Sequence, residues 1–415
     1  MTKRNNEGHS HSQVEQYTRL IELNPQEPTS HFNRGVAYEE LGKYEDAIRD
    51  FTKVIELDPT LRALALYNRG VVYQKLGKHE KVIEDITKAI ELKPAYAPAL
   101  YHRGFAYERL GRHDEAIKDL SKAIELDPED AWAFYTRSVA YRMLGKLEEA
   151  IKDSTMAVQL NTEHAQAYYT RGLAYKELGK HEEAIEDLTR AMQLDPKDAL
   201  IYHNRGVAYQ ELGKHEKAIE DLTRAIELDP DNLWTSYYRG VAYQKMGKYE
   251  EAIKDFAKVI QWSPAQASAL CHRGSAYEQL GKHEEAVKDI SRAIELEPEN
   301  AWAFRSRGII YRILGKHEEA IKDFTIAIEL GSENALNYFN RGFAYEELGK
   351  YEEAIADYSK AIELNSEQAD YYYFRGKAYY HLHFLELATK DYKRAIELKP
   401  EFADSRYAFD AERNG

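Results

Sequence analysis

HFNRGVAYEELGKYEDAIRDFTKVIELDP, residues 31–59, carries apolar or small residues one helical turn apart on both sides of a glycine: Phe32, Val36 and Ala37 before Gly42, then Ala47, Phe51 and Ile55 after it. This spacing predicts two helices of about 14 residues, each about 20 Å long, joined by a turn at Gly42 and closed by Pro59. The stretch is one helical hairpin.

The hairpin recurs. Its Leu-Gly-Lys turn, with Met246 or Arg112 substituted once each, places glycine at Gly42, Gly77, Gly111, Gly145, Gly179, Gly213, Gly247, Gly281, Gly315 and Gly349. The first step is 35 residues, with one extra residue between Pro59 and Tyr67, and every later step is 34. The next step of 34 falls on His383, so an eleventh unit has lost its glycine. A fixed period of this size implies a solenoid, in which each unit buries its apolar face against its neighbours. The chain's 415 residues therefore do not translate into two or three ordinary domains.

With a small residue and a tyrosine in the first helix, alanine and an aromatic in the second and a final proline, the unit resembles the tetratricopeptide repeat. Gly35, Tyr38, Ala47, Phe51 and Pro59 hold those places. The resemblance implies an all-α, right-handed superhelical solenoid of helix-turn-helix repeats whose first helices line a concave face. It divides the chain into a flexible N-terminal segment (1–13), an N-terminal half repeat (14–27), eleven units (28–402) and a C-terminal capping helix and tail (403–415). Departures are the loss of the closing proline at Thr162, Ser332 and Ser366, and Ser138 in place of the small glycine of the fourth unit. Glycine inside a helix costs about 1 kcal/mol relative to alanine, so Gly35 and its equivalents imply close helix approach.

Composition excludes several classes. There are 57 Lys and Arg against 71 Asp and Glu, a net charge of −14, which disfavours nucleic acid as partner. The mix of 43% hydrophobic and 31% charged residues suits a folded chain, and no apolar run reaches the roughly 18 residues of a membrane span. MTKRNNEGHSHSQ at the start is followed by no apolar stretch, so neither a secretory signal nor a transit peptide is expected and the expected address is cytoplasmic. A single cysteine, Cys271, forms no internal disulfide or multi-thiolate site.

Each complete unit carries an arginine before its small residue and an aspartate sixteen residues later, as in Arg34 and Asp50, Arg205 and Asp221, and Arg341 and Asp357. Members of the resembled family usually have an apolar residue at the arginine place. The recurrence suggests a ladder of structural ion pairs; the alternative is an arginine stripe for acidic ligands, which the equal number of aspartates would neutralise.

The resemblance places a candidate protein-binding groove on the first helices. Its stripe contains Tyr67, Tyr101, Tyr135, Tyr169 and Tyr237, with aliphatic residues or Phe one turn on, and rings with polar tips suit a protein or peptide ligand. The alternative for each tyrosine is packing between units. AWAFYTRSVAYRMLGK (131–146) and AWAFRSRGIIYRILGK (301–316) match at an offset of 170 residues, as do the units before them, which points to a duplicated five-unit block. Trp132, Arg142 and Met143 in one copy, Trp302, Arg305 and Arg312 in the other, and Trp234 at the corresponding start in the seventh unit are candidate contacts, or else inheritance from the duplication. The family's carboxylate clamp for chaperone tails is a poor match, because asparagine is expected where Val36, Val71, Val207 and Phe343 stand.

His79, His113, His181, His215, His283 and His317 recur one unit apart, about 10 Å by helix packing, too far to share a metal ion. No phosphate loop or paired-carboxylate signature stands out, so no cofactor and no catalysis are expected. The expected function is a noncatalytic scaffold or adaptor for a partner peptide or helix. Alternatives are end-to-end self-assembly, a consensus-like or designed repeat without a dedicated ligand, and, further off, a chaperone-tail-binding co-chaperone.

Overall fold

The computed structural model describes residues 2–331 and 334–404, among which are twenty-three α-helices, one final 3-10 turn and no strand. The chain divides into two compact bodies, residues 1–213 and 214–415. In the first, α1 (Thr2–Leu23) precedes the hairpins α2–α3 (Pro28–Glu40, Tyr44–Leu57), α4–α5 (Arg62–Lys75, His79–Leu92), α6–α7 (Ala97–Arg109, His113–Leu126), α8–α9 (Ala131–Met143, Leu147–Leu160) and α10–α11 (Ala165–Glu177, His181–Leu194), and α12 (Ala199–Glu211) ends it. In the second, α13 (His215–Leu228) precedes α14–α15 (Leu233–Lys245, Tyr249–Trp262), α16–α17 (Ala267–Gln279, His283–Leu296), α18–α19 (Ala301–Ile313, His317–Glu329), α20–α21 (Ala335–Glu347, Tyr351–Leu364) and α22–α23 (Ala369–His381, Leu385–Leu398).

The turns explain why the period is so strict. Gly42 has φ +70°, and the Lys43 N–H donates to the Tyr38 carbonyl at 2.8 Å, so the last carbonyls of α2 are satisfied by a left-handed residue that glycine supplies without strain. His383 takes the same conformation at φ 63°, with the Phe384 N–H on the Tyr379 carbonyl at 2.9 Å. The eleventh hairpin therefore keeps its turn at the expense of a strained non-glycine residue. Each second helix then starts with acidic residues, as Glu45 and Asp46 do in α3, where the helix dipole favours them.

Within a hairpin the two helices interlock through adjacent residue pairs. In the first, Arg34 Nε and Nη2 each donate to one oxygen of Asp50 at 2.8 Å, while a Cβ built on Gly35 would lie 2.9 Å from the Phe51 ring. One pair is electrostatic and the next steric. The same bidentate arrangement joins Arg69 to Asp85, Arg103 to Asp119, Arg137 to Asp153, Arg239 to Asp255, Arg307 to Asp323, Arg341 to Asp357 and Arg375 to Asp391. The remaining guanidinium nitrogen reaches back one repeat: Arg103 Nη1 donates to Thr87 and Arg137 Nη1 to Ser121, at 3.1 and 2.9 Å. These arginines therefore tie their own hairpin to the preceding one; Arg273, with Ala257 in the hydroxyl's place, makes only the bond pair to Asp289. Arg205 donates likewise to Thr189, at 3.0 Å, whereas Asp221 belongs to the other body.

Ser138 shows how the steric pair is adjusted. Opposite it stands buried Ser154, where other repeats carry Phe, Ile, Leu or Tyr, so a small residue on α9 makes room for the extra atoms on α8. The Ser138 hydroxyl satisfies itself on the Tyr135 carbonyl at 2.6 Å.

Helix α1 starts at Thr2, ahead of the half repeat expected from residue 14. Ser10 is buried and donates to Glu40 at 2.6 Å, and Thr18 accepts from Arg34 Nη1, so α1 fills the place of a preceding second helix. The extra residue of the 35-residue step is absorbed as a fourteenth residue in α4, where α2 and α6 have thirteen. The proposed C-terminal capping helix lies largely outside the described residues. No helix among the described residues is long and apolar enough to cross a membrane.

Candidate protein-binding cleft

Successive first helices touch one another in each body, α8 against α6 and α10 in the first, α18 against α16 and α20 in the second, which places them on the tighter side of each stack. The stripe tyrosines lie in these junctions. Across one such junction Asn204 Nδ2 donates to the Tyr169 hydroxyl at 3.0 Å, reaching the next repeat. Tyr67 packs against Tyr96 and His102, and Tyr237 against His272. Burial pushes Tyr67 and Tyr169 up to about 12. The stripe is therefore not a row of free polar tips: its rings pack between repeats, and the Tyr169 hydroxyl is already used to join two of them.

The tryptophans differ among themselves. Trp132 is exposed at the start of α8 and rests on Tyr135 and His164, with ring centroids 5.9 and 4.3 Å away. Trp234 is exposed and meets Tyr237 edge-on. Trp302 is half-buried, packs on the core around Cys271 and lies 5.1 Å from His272. Met143 is exposed beside Arg142, whose Nη1 donates to Glu177 at 2.7 Å.

One stripe position carries a charge. Arg305 stands where the duplicate block has Tyr135, and Ser275 stands where it has Phe105. In the first body Phe105 packs beside Tyr101 and under the Arg109 guanidinium, which is 5.0 Å from its ring. Losing two rings leaves an open cleft of about 320 Å³ between α16, α18 and α20. Trp302, Ile309 and Leu336 form its apolar lining, and Ser275, Arg305 and Asn340 are among its polar groups. Leu336, in the first turn of α20, is half exposed at the cleft.

The sequence points to Trp302 and Arg305 as candidate contacts but not to Ser275 or Leu336. The signal was present in the missing ring at position 275, visible only when the duplicate blocks are compared residue by residue. The cleft does not bring in Trp132, Arg142 or Met143, which belong to the other body, or Trp234.

Elsewhere the chemistry is quiet. Burial pushes the Cys271 thiol up to about 12, which leaves it protonated and a poor nucleophile. Among the described residues no three His, Cys, Asp or Glu are placed to hold a metal ion.

Comparison with known proteins agrees with the hairpin architecture. Profiles described as tetratricopeptide repeat match residues 28–61, 63–96, 97–130, 199–232, 267–300 and 335–368, with others at 120–152, 222–254, 290–322 and 369–402, and one described as TPR repeat at 172–213, 245–281 and 308–349. A UDP-N-acetylglucosamine–peptide N-acetylglucosaminyltransferase of Giardia intestinalis is 49% identical over 49 residues, 12% of this chain, and the chain spans only 3% of that protein's length. Among solved structures, YrrB, described as a TPR protein with an unusual peptide-binding site, is 25% identical with a TM-score of 0.42, the match covering 45% of this chain and 97% of YrrB. The Cut9–Hcn1 hetero-tetramer of APC/C (15% identity, 99% and 95% coverage, TM-score 0.49) and yeast Tom70 (17%, 93% and 95%, 0.41) are similar over most of the chain. The chain belongs to the tetratricopeptide repeat family, whose repeats build protein-interaction scaffolds.

Proposed function

We propose that this chain is a noncatalytic adaptor that holds a segment of a partner protein in the cleft between α16, α18 and α20. The observation that carries the reading is an apolar-lined cleft at Ser275 and Arg305, positions where the duplicate block carries the rings of Phe105 and Tyr135. Binding would use Trp302, Ile309 and Leu336 as anchors, with polar groups at the rim setting orientation.

Retention of partner proteins by immobilised wild type and by a Leu336→Glu variant tests this. Leu336 is half exposed in the first turn of α20, so a carboxylate there leaves the helix intact and spoils the apolar floor. A partner kept by the wild type and lost by the folded variant supports the cleft. Identical retention by both contradicts it.

A further inference from the structure

Three rings of the first body's stripe have no counterpart in the duplicate block: Cys271, Ser275 and Arg305 stand where Tyr101, Phe105 and Tyr135 do. In the first body these rings pack closely. Phe105 lies 6.4 Å from Tyr101, with the Arg109 guanidinium 5.0 Å over its ring, and Tyr135 meets Trp132 edge-on at 5.9 Å. The two copies of the tryptophan also lean in opposite directions. Trp132 rests on His164 of the following repeat, whereas Trp302 turns to His272 of the preceding one and packs on the core around Cys271. The indole of Trp302 thus covers the side where Tyr101 stands in the other copy. The remaining two places are not refilled by the chain, because Ser275 and Arg305 both line the cleft of about 320 Å³.

Two charges of opposite sign line the same space. Arg305 follows Trp302 by one turn of α18, and Glu278 lies on the α16 side, where its Oε2 accepts from Gln279 at 2.6 Å. A charged ligand group is attracted by one of them and repelled by the other. An aliphatic group covers both and returns no electrostatic contact. An aromatic ring is apolar yet complements both, because its face is negative and its edge positive. The chain already uses this contact along the stripe, with Arg109 over Phe105 in the first body and Arg312 over Phe343, at 4.9 Å, in the second.

Building on the adaptor reading, we propose that the cleft captures an aromatic side chain of the partner segment, in the place that Phe105 and Tyr135 hold in the duplicate block. The ring lays its face on the Arg305 guanidinium and turns its edge to Glu278, while Trp302, Ile309 and Leu336 supply apolar surface around it. Leu336 stands where the duplicate has Gln166, which extends the apolar lining to α20. The partner thus restores from outside a packing that one copy of the block builds from its own residues.

The test uses the full chain and unlabelled acetylated, amidated Gly-Ser peptides carrying one Phe, cyclohexylalanine or Leu, titrated by ligand-observed NMR. Cyclohexylalanine is close to Phe in size and lacks the charge distribution of the ring. The Phe peptide should bind about fivefold more tightly than the cyclohexylalanine peptide, a difference of about 1 kcal/mol. Arg305→Leu should erase that preference. Ser275→Phe, which puts back the ring of the duplicate block, should weaken binding of the Phe peptide about tenfold, and Lys322→Gln, exposed on α19, should leave it unchanged. Circular dichroism confirms that the variants fold. Equal binding of the Phe and cyclohexylalanine peptides, or a preference that survives Arg305→Leu, overturns the aromatic assignment and leaves the cleft standing. Binding that Ser275→Phe does not weaken places the ring elsewhere and overturns the assignment too. Absence of binding to every peptide counts against both the assignment and the cleft.

Discussion

Arg171 and Asp187 are joined by two parallel hydrogen bonds of 2.7 Å, and the third nitrogen of the same guanidinium donates to Thr155 of the preceding repeat at 3.1 Å. The pair is thus both a clamp within a hairpin and a tie between hairpins. Removing the arginine alone leaves the buried Asp187 carboxylate without its counter-charge. Arg171→Leu is expected to cost about 3–5 kcal/mol in urea denaturation, and adding Asp187→Leu should restore much of it. A single variant as stable as the wild type would show that the clamp contributes nothing.

The steric partner of this clamp makes a second prediction. A Cβ on Gly274 would lie 2.6 Å from Ile290 Cγ1 and 3.2 Å from the Ala286 carbonyl, so neither the side chain nor the backbone has room. Gly274→Ala should destabilise by about 1–3 kcal/mol despite alanine's better helix propensity. Ser138→Ala, where a Cβ already fits opposite Ser154, should change stability by less than about 1 kcal/mol. Thermal melts of the two variants decide it: similar losses, or none in Gly274→Ala, are the contrary result.

His383 occupies a left-handed turn that glycine holds at the other hairpin turns. His383→Gly is expected to stabilise the eleventh hairpin by about 1 kcal/mol, seen as slower amide exchange in α22 and α23. Faster exchange would mean that the imidazole makes a compensating contact.

His272 Nδ1 donates to Gln244 Oε1 at 3.0 Å, and the ring stacks on Phe256 and lies against Trp302. Burial lowers it to about 4, with Lys245 adding to the effect, and burial also lowers His102 to about 4. Because the folded-state value is below the ordinary 6.5, the unfolded chain takes up protons first as pH falls. The neutral rings' contribution is complete above pH 6.5 and is lost progressively toward pH 4. Replacing His272 with Gln should flatten stability against pH in that window, by on the order of 2 kcal/mol across it. Parallel curves for variant and wild type contradict this.

The hairpins were legible because every level of the sequence agrees on them: the helical spacing around Gly42, the turn glycine and the 34-residue return. The uses of the stripe tyrosines were not. That the Tyr169 hydroxyl meets Asn204 depends on the register between repeats, which periodicity within a helix does not specify. Arg142 and Arg312 are equivalent as sequence, yet one reaches Glu177 and the other rests on Phe343, where the first copy has Leu173. Polar residues 2–13 carry no apolar stripe to mark a helix in the sequence, whereas the structure continues α1 through them and buries Ser10.

The most direct test of the adaptor reading is site-specific photocrosslinking in cells, with benzoylphenylalanine in place of Ile309 on α18 or in place of Lys322 on the exposed face of α19. The cleft reading predicts a discrete adduct from position 309 that is absent from position 322 and disappears when Leu336→Glu is added. Equal adducts from both positions, or an adduct from 309 that survives Leu336→Glu, would contradict it.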